Sequence, residues 1–548
     1  MDLKTLKELL ASLNINPDEI EDERYATAFR ILFAIIEKQN EEIEFLKPEN
    51  QKLRDEINLL KGEQTKPKIR GSKKSEDISS EKERRKRRLL WDKESKSKLD
   101  KIEIHRIEKC KVDRSILPSD AYSKGYRDVV IQDISIKPMN TNYKIEIFYS
   151  PSEHKTYSGE LPDGIKGEFG PGIRSLVINL NHVANVSEPK IHEFLENIGV
   201  HISKATISRV LTKGIDVFHQ EKAEIFQEGL KSTPYQQIDD TGARVNGINH
   251  YTQILCNPYY VAYFTVPNKN RETILDILLC GKEKKYYFND EAFDLMKTFN
   301  VSQIWMEKLS SVKNKIFSHE EMSRKLDYIF SPNGYKTTKK KVLEACAIAA
   351  YHQSTDIPVV TTLLSDDAPQ FKQIAYHHAL CWIHDGRNYK KLRPIVPYHN
   401  EKLEAFLDNY WDFYGELCEF REKPDSEVAK QLSAKFDQFF STKTGYELLD
   451  ERIGKTKKNK EHLLKVLILP EVPLHNNAAE LAARAKVRKR DVSLQTITDE
   501  GTKANDTFMT IVQTAKKLSV SAYDYIFDRV SKTFEMPSLA HLIRQKAN

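Results

Sequence analysis

Carboxylates of the kind that hold divalent cations occur at three widely separated places in this chain of 548 residues. Asp239 and Asp240 lie in "IDDTGARV", Asp366 and Asp367 in "LLSDDAPQF", and Glu480 in "PLHNNAAELAARAKVRKR". Magnesium takes hard oxygen ligands at about 2.0–2.1 Å in near-octahedral geometry. Two such ions about 3.5–4 Å apart can activate an attacking oxygen and stabilise a leaving one in a single in-line displacement at phosphorus. Each acid also has a plainer reading. Adjacent Asp residues at strand ends terminate pairing or make turns. Asn477 and Glu480 have the spacing of a capping box, in which Asn covers free helix N–H groups and Glu reaches back. Taken singly the acids leave both readings open, and the elements that carry them must decide.

From Tyr235 the chain reads "YQQIDDTGARVNGINHYTQILCNPYYVAYFTVPN", three β-prone runs divided by "VNGIN" and "NPYY", both good hairpin turns. A three-stranded antiparallel meander is expected, followed by an amphipathic helix in "NRETILDILLCG". "IPVVTTLLSDDAPQFK" is a mostly apolar run ending in two acids, as a buried strand with carboxylates at its C-terminal edge would be. Glu480 falls on a later helix. Meander, helix, strand and closing helix follow the plan of a ribonuclease-H-like fold, in which acids distant in sequence converge. The expected fold class is therefore α/β, with a ribonuclease-H-like catalytic domain over 231–530. Helical insertions separate the acids, one containing the lysine-rich "YKTTKKKVLEACAIAAYH" and another at about 390–465.

The preceding segments suggest binding and assembly. From Phe29 a seven-residue pattern runs through Ile36, Ile43, Asn50 and Ile57, with Leu32, Gln39, Leu46, Leu53 and Leu60 three places on. These are a and d positions of a coiled coil, so residues 1–62 are expected to dimerise, with Pro48 expected to kink or interrupt the seam. Residues 63–100 read as a basic flexible linker whose run Arg84, Arg85, Lys86, Arg87 and Arg88 could neutralise DNA phosphates. Residues 101–170 suggest a small strand-rich module, with strands expected in "YRDVVIQDISI" and "NYKIEIFYS". Within 171–230, "SEPKIHEFLENIGVHISKATISRVL" resembles a helix-turn-helix, with Ser187 and Ser203 as caps and Gly199 at the turn. Lys204, Thr206, Ser208 and Arg209 are then the candidate DNA-facing groups. Residues 531–548 are expected to form a C-terminal helical tail.

Charged residues make up 30% of the chain and the net charge is only +6, so overall charge does not identify a nucleic-acid binder. The cysteines, Cys110, Cys256, Cys280, Cys346, Cys381 and Cys418, are scattered without a CxxC pair, which argues against a disulfide framework or a Cys-rich zinc ribbon. No run of about 18 apolar residues appears and the N-terminus lacks a signal-peptide core. A soluble, intracellular protein is expected.

The blocks "IDDTGARV", "LLSDDAPQF", "ALCWIHDGRNYKKL", "PLHNNAAELAARAKVRKR" and "IVQTAKK", in this order, resemble those of the bacterial insertion-sequence transposases of family sixty-six, members of the DDE transposases. The similarity covers about 190–530. It implies a catalytic and metal-binding triad of Asp239, Asp366 and Glu480, with Asp240 and Asp367 as the alternatives. The implied cofactor is a pair of Mg2+ ions, with Mn2+ as a substitute. The implied activity is cleavage of the element's ends and joining of the freed 3′-hydroxyl to target DNA. Partners would be double-stranded DNA, at terminal inverted repeats and target, and a second copy of the chain, with accessory element-encoded proteins as further candidates. The setting would be a prokaryotic cytoplasm at the nucleoid. Alternatives are a catalytically inactive transposase-derived DNA-binding protein and a related metal-dependent nuclease. Arg484, four residues after Glu480, together with Arg488 and Arg490, is placed for DNA phosphate. "CWIH" matches a Cys-x-x-His block of related transposases. Two ligands cannot complete a zinc site, which needs four, so Cys381 and His384 are expected to shape the site rather than bind metal. The family's Cys-rich module before the helix-turn-helix is missing, since only Cys110 stands there.

Overall fold

Helix-forming residues without a glycine run from Glu23 to Leu60, and they form one long helix. The computed structural model describes residues 3–13, 15–61, 102–162, 165, 167–331 and 334–547. Helix α1 (Leu3–Leu13) precedes α2 (Glu23–Leu60), which continues through Pro48 instead of breaking there. The proline removes one helix hydrogen bond and crowds the carbonyl one turn back, and the helix continues despite both. Phe29, Phe33 and Ile36 pack on Ile395, Val396 and Tyr398 of the same chain. Two of the expected a positions, Phe29 and Ile36, are thus used within the chain, whereas Leu32, Ile43, Leu46, Leu53, Ile57 and Leu60 are exposed. Buried Glu37 seals this contact by accepting the backbone N–H groups of Ile395 and Val396 at 2.8 and 2.9 Å. The basic run Arg84 to Arg88 lies outside the described residues.

The 102–162 segment differs from the strand-rich expectation. Its strands are a single hairpin of β1 (Ile147–Ser150) and β2 (Lys155–Ser158), so "NYKIEIFYS" supplies a strand and "YRDVVIQDISI" does not. Val129, Ile131, Ile134 and Ile136 are exposed there, and β propensity without a surface to pack on does not make a strand.

Four helices follow: α3 (Pro171–His182), α4 (Glu188–Asn197), α5 (Lys204–Thr212) and α6 (Asp216–Lys231). Gly199, at φ +82°, makes the α4–α5 turn in a conformation that costs glycine little. Ser203 caps α5 by accepting from the Thr206 amide at 3.1 Å. Ser187 occupies the corresponding position before α4 but its side chain makes no capping bond.

The meander forms as expected: β3 (Tyr235–Val245), β4 (Ile248–Cys256) and β5 (Val261–Val266) pair antiparallel. Asn246 and Gly247, both at positive φ, make the β3–β4 turn. Helix α7 (Arg271–Leu278), capped by Asn270, comes next. Beyond it lie β6 (Tyr286–Tyr287), α8 (Asp290–Thr298), α9 (Gln303–Leu309), β7 (Ile316–Phe317), α10 (His319–Phe330) and α11 (Lys336–His352). Strands β8 (Thr362–Ser365) and β9 (His377–Leu380) then join the sheet, giving the order β5-β4-β3-β8-β9 with the last two pairings parallel. One sheet face, with Ile238, Leu255, Ala262 and Leu363, shares a continuous apolar core with α3 to α8 and α11.

Helix α12 (Trp382–Lys390) leaves the end of β9. Helices α13 (Pro397–Glu422), α14 (Ser426–Phe439), α15 (Glu447–Lys458) and α16 (Lys460–Leu463) pack beside it around fully buried Trp382, Tyr410 and Phe436 in a second core. Helix α17 (Asn477–Ser493) covers the other sheet face, and α18 (Asp499–Lys517) runs along the β5 edge. Helices α19 (Ala522–Ser531) and α20 (Leu539–Ala547) complete the chain, and Leu539 and Ile543 enter the main core, so the C-terminal helix is packed structure, not a free tail.

An edge strand presents backbone groups that need partners. Here α18 supplies them at one-turn intervals: Thr514 Oγ1 accepts from Val261 N at 3.2 Å, Thr510 Oγ1 from Tyr263 N at 3.1 Å, and Asp506 Oδ2 from Thr265 N at 2.6 Å. Two residues of strand match four of helix, because about 6.7 Å of extended chain meets about 6 Å of helix rise. Thr510→Val keeps the shape and removes the acceptor. It should destabilise the fold by about 1–3 kcal/mol, read as a lower urea midpoint with unchanged m.

Candidate active site

The β3–β8 register places the first two acids. Tyr235, Gln236 and Gln237 pair in parallel with Thr362, Leu363 and Leu364. Asp239 and Asp366 each lie two residues beyond that last pair, so they stay level and share a face. That face also carries Ile254, opposite Asp239 on β4, and it is the face covered by α17. Asp240 has the opposite parity. Its carboxylate accepts from Gln370 Nε2 at 3.1 Å and stands 3.6 Å from Lys269. Asp367 is exposed and pairs with Lys372 at 2.7 Å. Asp366 is half-buried and accepts from the Ala368 amide at 3.1 Å.

Glu480 reaches the same place through the attachment of α17. Small residues Ala479, Ala482 and Ala483 let the helix lie close on Ile254, Cys256, Val261 and Tyr263. Buried Asn476, the residue before the helix, donates from Nδ2 to the carbonyl of Ile238 at 2.7 Å, one residue before Asp239. Its own amide donates to Cys381 Sγ at 3.2 Å. The helix therefore begins at Asn477 with Asn476 in the capping position, no side-chain capping bond is made there, and the capping box suggested by the spacing of Asn477 and Glu480 does not form. Glu480 points instead to Arg387, whose Nη2 donates to Oε2 at 3.0 Å. His384 Nε2 is 3.6 Å from Oε1, and Arg484 is 3.9 Å from Oε2.

The acids repel one another. Burial pushes the Asp239 carboxyl up to about 7; the Asp240 amide pulls it down, and the charges of Asp366, Glu480 and Asp240 each add smaller upward pressure. A divalent cation would relieve that repulsion, although Asp239, Asp366 and Glu480 do not form a group of ligand atoms all within 4.8 Å of one another among the described residues. Beside Glu480, buried His384 Nδ1 and Arg387 Nε have no protein partner. A cavity of about 260 Å³ opens here, lined in part by Asp366, His384, Arg387, Lys391 and Arg452.

The basic residues divide. Arg484 and Arg488 are exposed and continue the line of Glu480 along α17 at four-residue steps. Arg490 is occupied by the Gly242 carbonyl, Lys489 by Asn181, and Lys486 by Asp506 and Asn505. On α5, Lys204 and Arg209 are exposed and Thr206 and Ser208 half-buried. Arg387, Asn476 and Asp506 were not singled out by sequence. Their only signal is position inside blocks chosen for other residues, or, for Asp506, four-residue spacing to Thr510 and Thr514.

Residues 347–504 match the sequence model described as the transposase IS66 family. An uncharacterized protein, y4jO, from Sinorhizobium fredii (strain NBRC 101917 / NGR234) is 33% identical over 322 residues, which is 58% of this chain and 99% of that protein. Among the described residues no helix is long and apolar enough to cross a membrane. A mixed α/β chain with this match falls in the transposase class, whose members process nucleic acid. The chain belongs to the IS66 family of transposases.

Two outcomes follow from how the site is held. Arg387 touches Glu480 from outside the carboxylate set, and loss of such a supporting partner typically costs about 10–100-fold. On the strand-cleavage function proposed below, Arg387→Ala should lower metal-dependent nicking by that amount while leaving DNA retention in a gel shift unchanged. Asp506 answers to pH. Burial raises its pKa, but Lys486 and Lys222 outweigh this and hold the carboxyl below its ordinary 3.8. Its stabilisation is therefore complete above that value and is lost as pH falls through the lower folded-state value. Asp506→Asn, which leaves Lys486 buried without its counter-charge, should lose about 3–5 kcal/mol at neutral pH. Urea midpoints measured across pH should converge with those of the parent protein in acid.

Proposed function

We propose that this chain is a DNA transposase with a ribonuclease-H-like core, in which Asp239, Asp366 and Glu480 form the catalytic set. The observation that carries this reading is the in-register placement of Asp239, inside β3, and Asp366, one residue past the end of its parallel neighbour β8, with α17 laying Glu480 across the same face. The sheet order supports it: three antiparallel strands followed by two parallel ones, with helices on both faces. Parity favours Asp239 over Asp240, and partial burial favours Asp366 over exposed, lysine-paired Asp367.

Two Mg2+ ions held by these carboxylates, with Mn2+ as a substitute, would supply activation of the attacking oxygen and stabilisation of the leaving oxygen at the scissile phosphate. The chain's residues do the rest. Arg387 holds Glu480 by one oxygen and leaves the other turned toward the pocket. Arg484 and Arg488 form a phosphate track leading away from Glu480, a role that Arg490 does not share because the Gly242 carbonyl already takes its guanidinium. The α4–α5 pair acts as a helix-turn-helix that reads the element's terminal inverted repeats, with Lys204 and Arg209 as its exposed cations and Thr206 and Ser208 at its edge. The basic run Arg84 to Arg88 adds phosphate contacts. The exposed seam of α2 pairs with a second copy, bringing two ends together. The reaction yields a free 3′-hydroxyl that attacks target DNA, in a prokaryotic cytoplasm at the nucleoid.

Asp239→Asn, Asp366→Asn and Glu480→Gln should each abolish Mg2+-dependent nicking of a labelled element end, a loss exceeding about 100-fold, while end binding persists. Recovery of joined products from the unaltered protein separates a transposase from a nuclease that only cuts. Cleavage undiminished in any of the three variants contradicts the assignment.

A further inference from the structure

Glu480 faces a second set of donors whose chemistry is not that of magnesium. Cys381 Sγ, a His384 ring nitrogen and a Glu480 carboxylate oxygen all lie within 4.8 Å of one another. Cys381 precedes the first residue of α12 and His384 lies in its first turn, so both point off one helix end toward the start of α17. The sequence offered only two of these ligands, and the fold adds the third.

The distances suit an ion better than a hydrogen bond. His384 Nε2 and Glu480 Oε1 are 3.6 Å apart, beyond the usual hydrogen-bond range. Two ligand atoms about 2.0–2.1 Å from a tetrahedral ion stand about 3.4 Å from each other. His384 Nδ1 is buried without a protein partner. Magnesium prefers all-oxygen surroundings, whereas a sulfur, an imidazole nitrogen and one carboxylate oxygen form a mixed set of the zinc type. Three protein ligands would leave a fourth position open, as in non-structural zinc sites.

We propose that Cys381, His384 and Glu480 form a three-ligand site for a thiophilic divalent cation of the zinc class. On binding, the Cys381 thiol releases its proton to solvent and the sulfur bonds the ion, with no change of oxidation state. The Asn476 amide, already directed at Cys381 Sγ at 3.2 Å, supports the thiolate from outside. Arg387 stays on Glu480 Oε2 while the ion takes Oε1. A bound ion withholds Glu480 from Asp239 and Asp366, so zinc inhibits magnesium-supported cleavage. That consequence, unlike the binding itself, rests on the function proposed above.

The test is titration of the full-length, DNA-free protein with Co2+, whose thiolate charge-transfer absorption reports sulfur ligation. The expected result is one equivalent bound with that band, displaced by Zn2+ and not by excess Mg2+. Cys381→Ser should remove the band and Cys110→Ser should retain it. His384→Ala should keep the band but weaken binding at least tenfold, which covers the case in which the Cys381 variant fails to fold. No band, or a band that survives Cys381→Ser, overturns the site. Cobalt bound as described, without zinc inhibition of nicking, upholds the site and counts instead against Glu480 as a catalytic residue.

Discussion

The carboxylate of Asp506 joins three elements on which the site depends. It accepts from the backbone and hydroxyl of Thr265 on edge strand β5, belongs to α18, and binds Lys486 of α17 at 2.8 Å. Both charged groups are almost wholly buried, at 3% and 8% exposure. Burying two charges is costly unless geometry and further hydrogen bonds satisfy them. Here the backbone N–H of Thr265 and the side chain of Asn505 complete the set. The pair fixes a position more than it adds stability: an apolar contact could slide along α17, whereas a bonded ion pair cannot. Glu480 lies six residues before Lys486 on the same helix, so the rotation that seats Lys486 also fixes where Glu480 points.

At the other end of α17 the restraint is of a different kind. Asn476 is bonded to the Ile238 carbonyl and to Cys381 Sγ, tying the helix start to β3 and to the head of α12 at once. The alanines between these anchors allow close approach to the sheet. A larger residue at Ala479 or Ala482 would lift the helix and carry Glu480 away from Asp239. Arg387 then holds the carboxylate itself, so both helix and side chain are set before any ligand arrives.

Much of this was legible in the sequence, for identifiable reasons. The hairpin at Asn246–Gly247 was readable because two positive-φ residues in a row have few other uses, and the meander followed from it. That Asp239 and Asp366 stand level on neighbouring strands follows from the β3–β8 register, but that register comes from the whole sheet and no local pattern prints it. The capping-box reading of Asn477 failed because a tertiary partner for Glu480, Arg387, lies 93 residues away. Strand propensity misled at 126–136, where no partner strand or core covers the β-branched residues. The heptad pattern of α2 conceals two surfaces, since Phe29 and Ile36 face the chain's own helical insertion while later positions do not. Periodicity identifies an apolar stripe and is silent about what covers it.

The helical insertion between Asp366 and Glu480 gains a role from the two faces of α12. His384 and Arg387 face the carboxylates. On the adjoining flank, lining the same cavity, Asp385 binds Arg452 and accepts from Tyr410 and Thr456, while Tyr389 meets Thr456 at 2.6 Å. Burial pushes the Asp385 carboxyl up, with Arg452, Thr456 and Tyr410 pulling against it, so this buried group depends on partners from α13 and α15. Trp382, at the head of α12, is enclosed by aromatic rings of the insertion and donates to the Leu463 carbonyl at 2.8 Å. The insertion thus acts as a buttress that fixes the roll of α12. A one-residue rotation of that helix, about 100°, would put Asp385 where His384 stands, toward the like-charged acids, and take Arg387 from Glu480. An aromatic core of this size beside the sheet makes that rotation expensive, and the polarity of the site is thereby set by packing some distance from it.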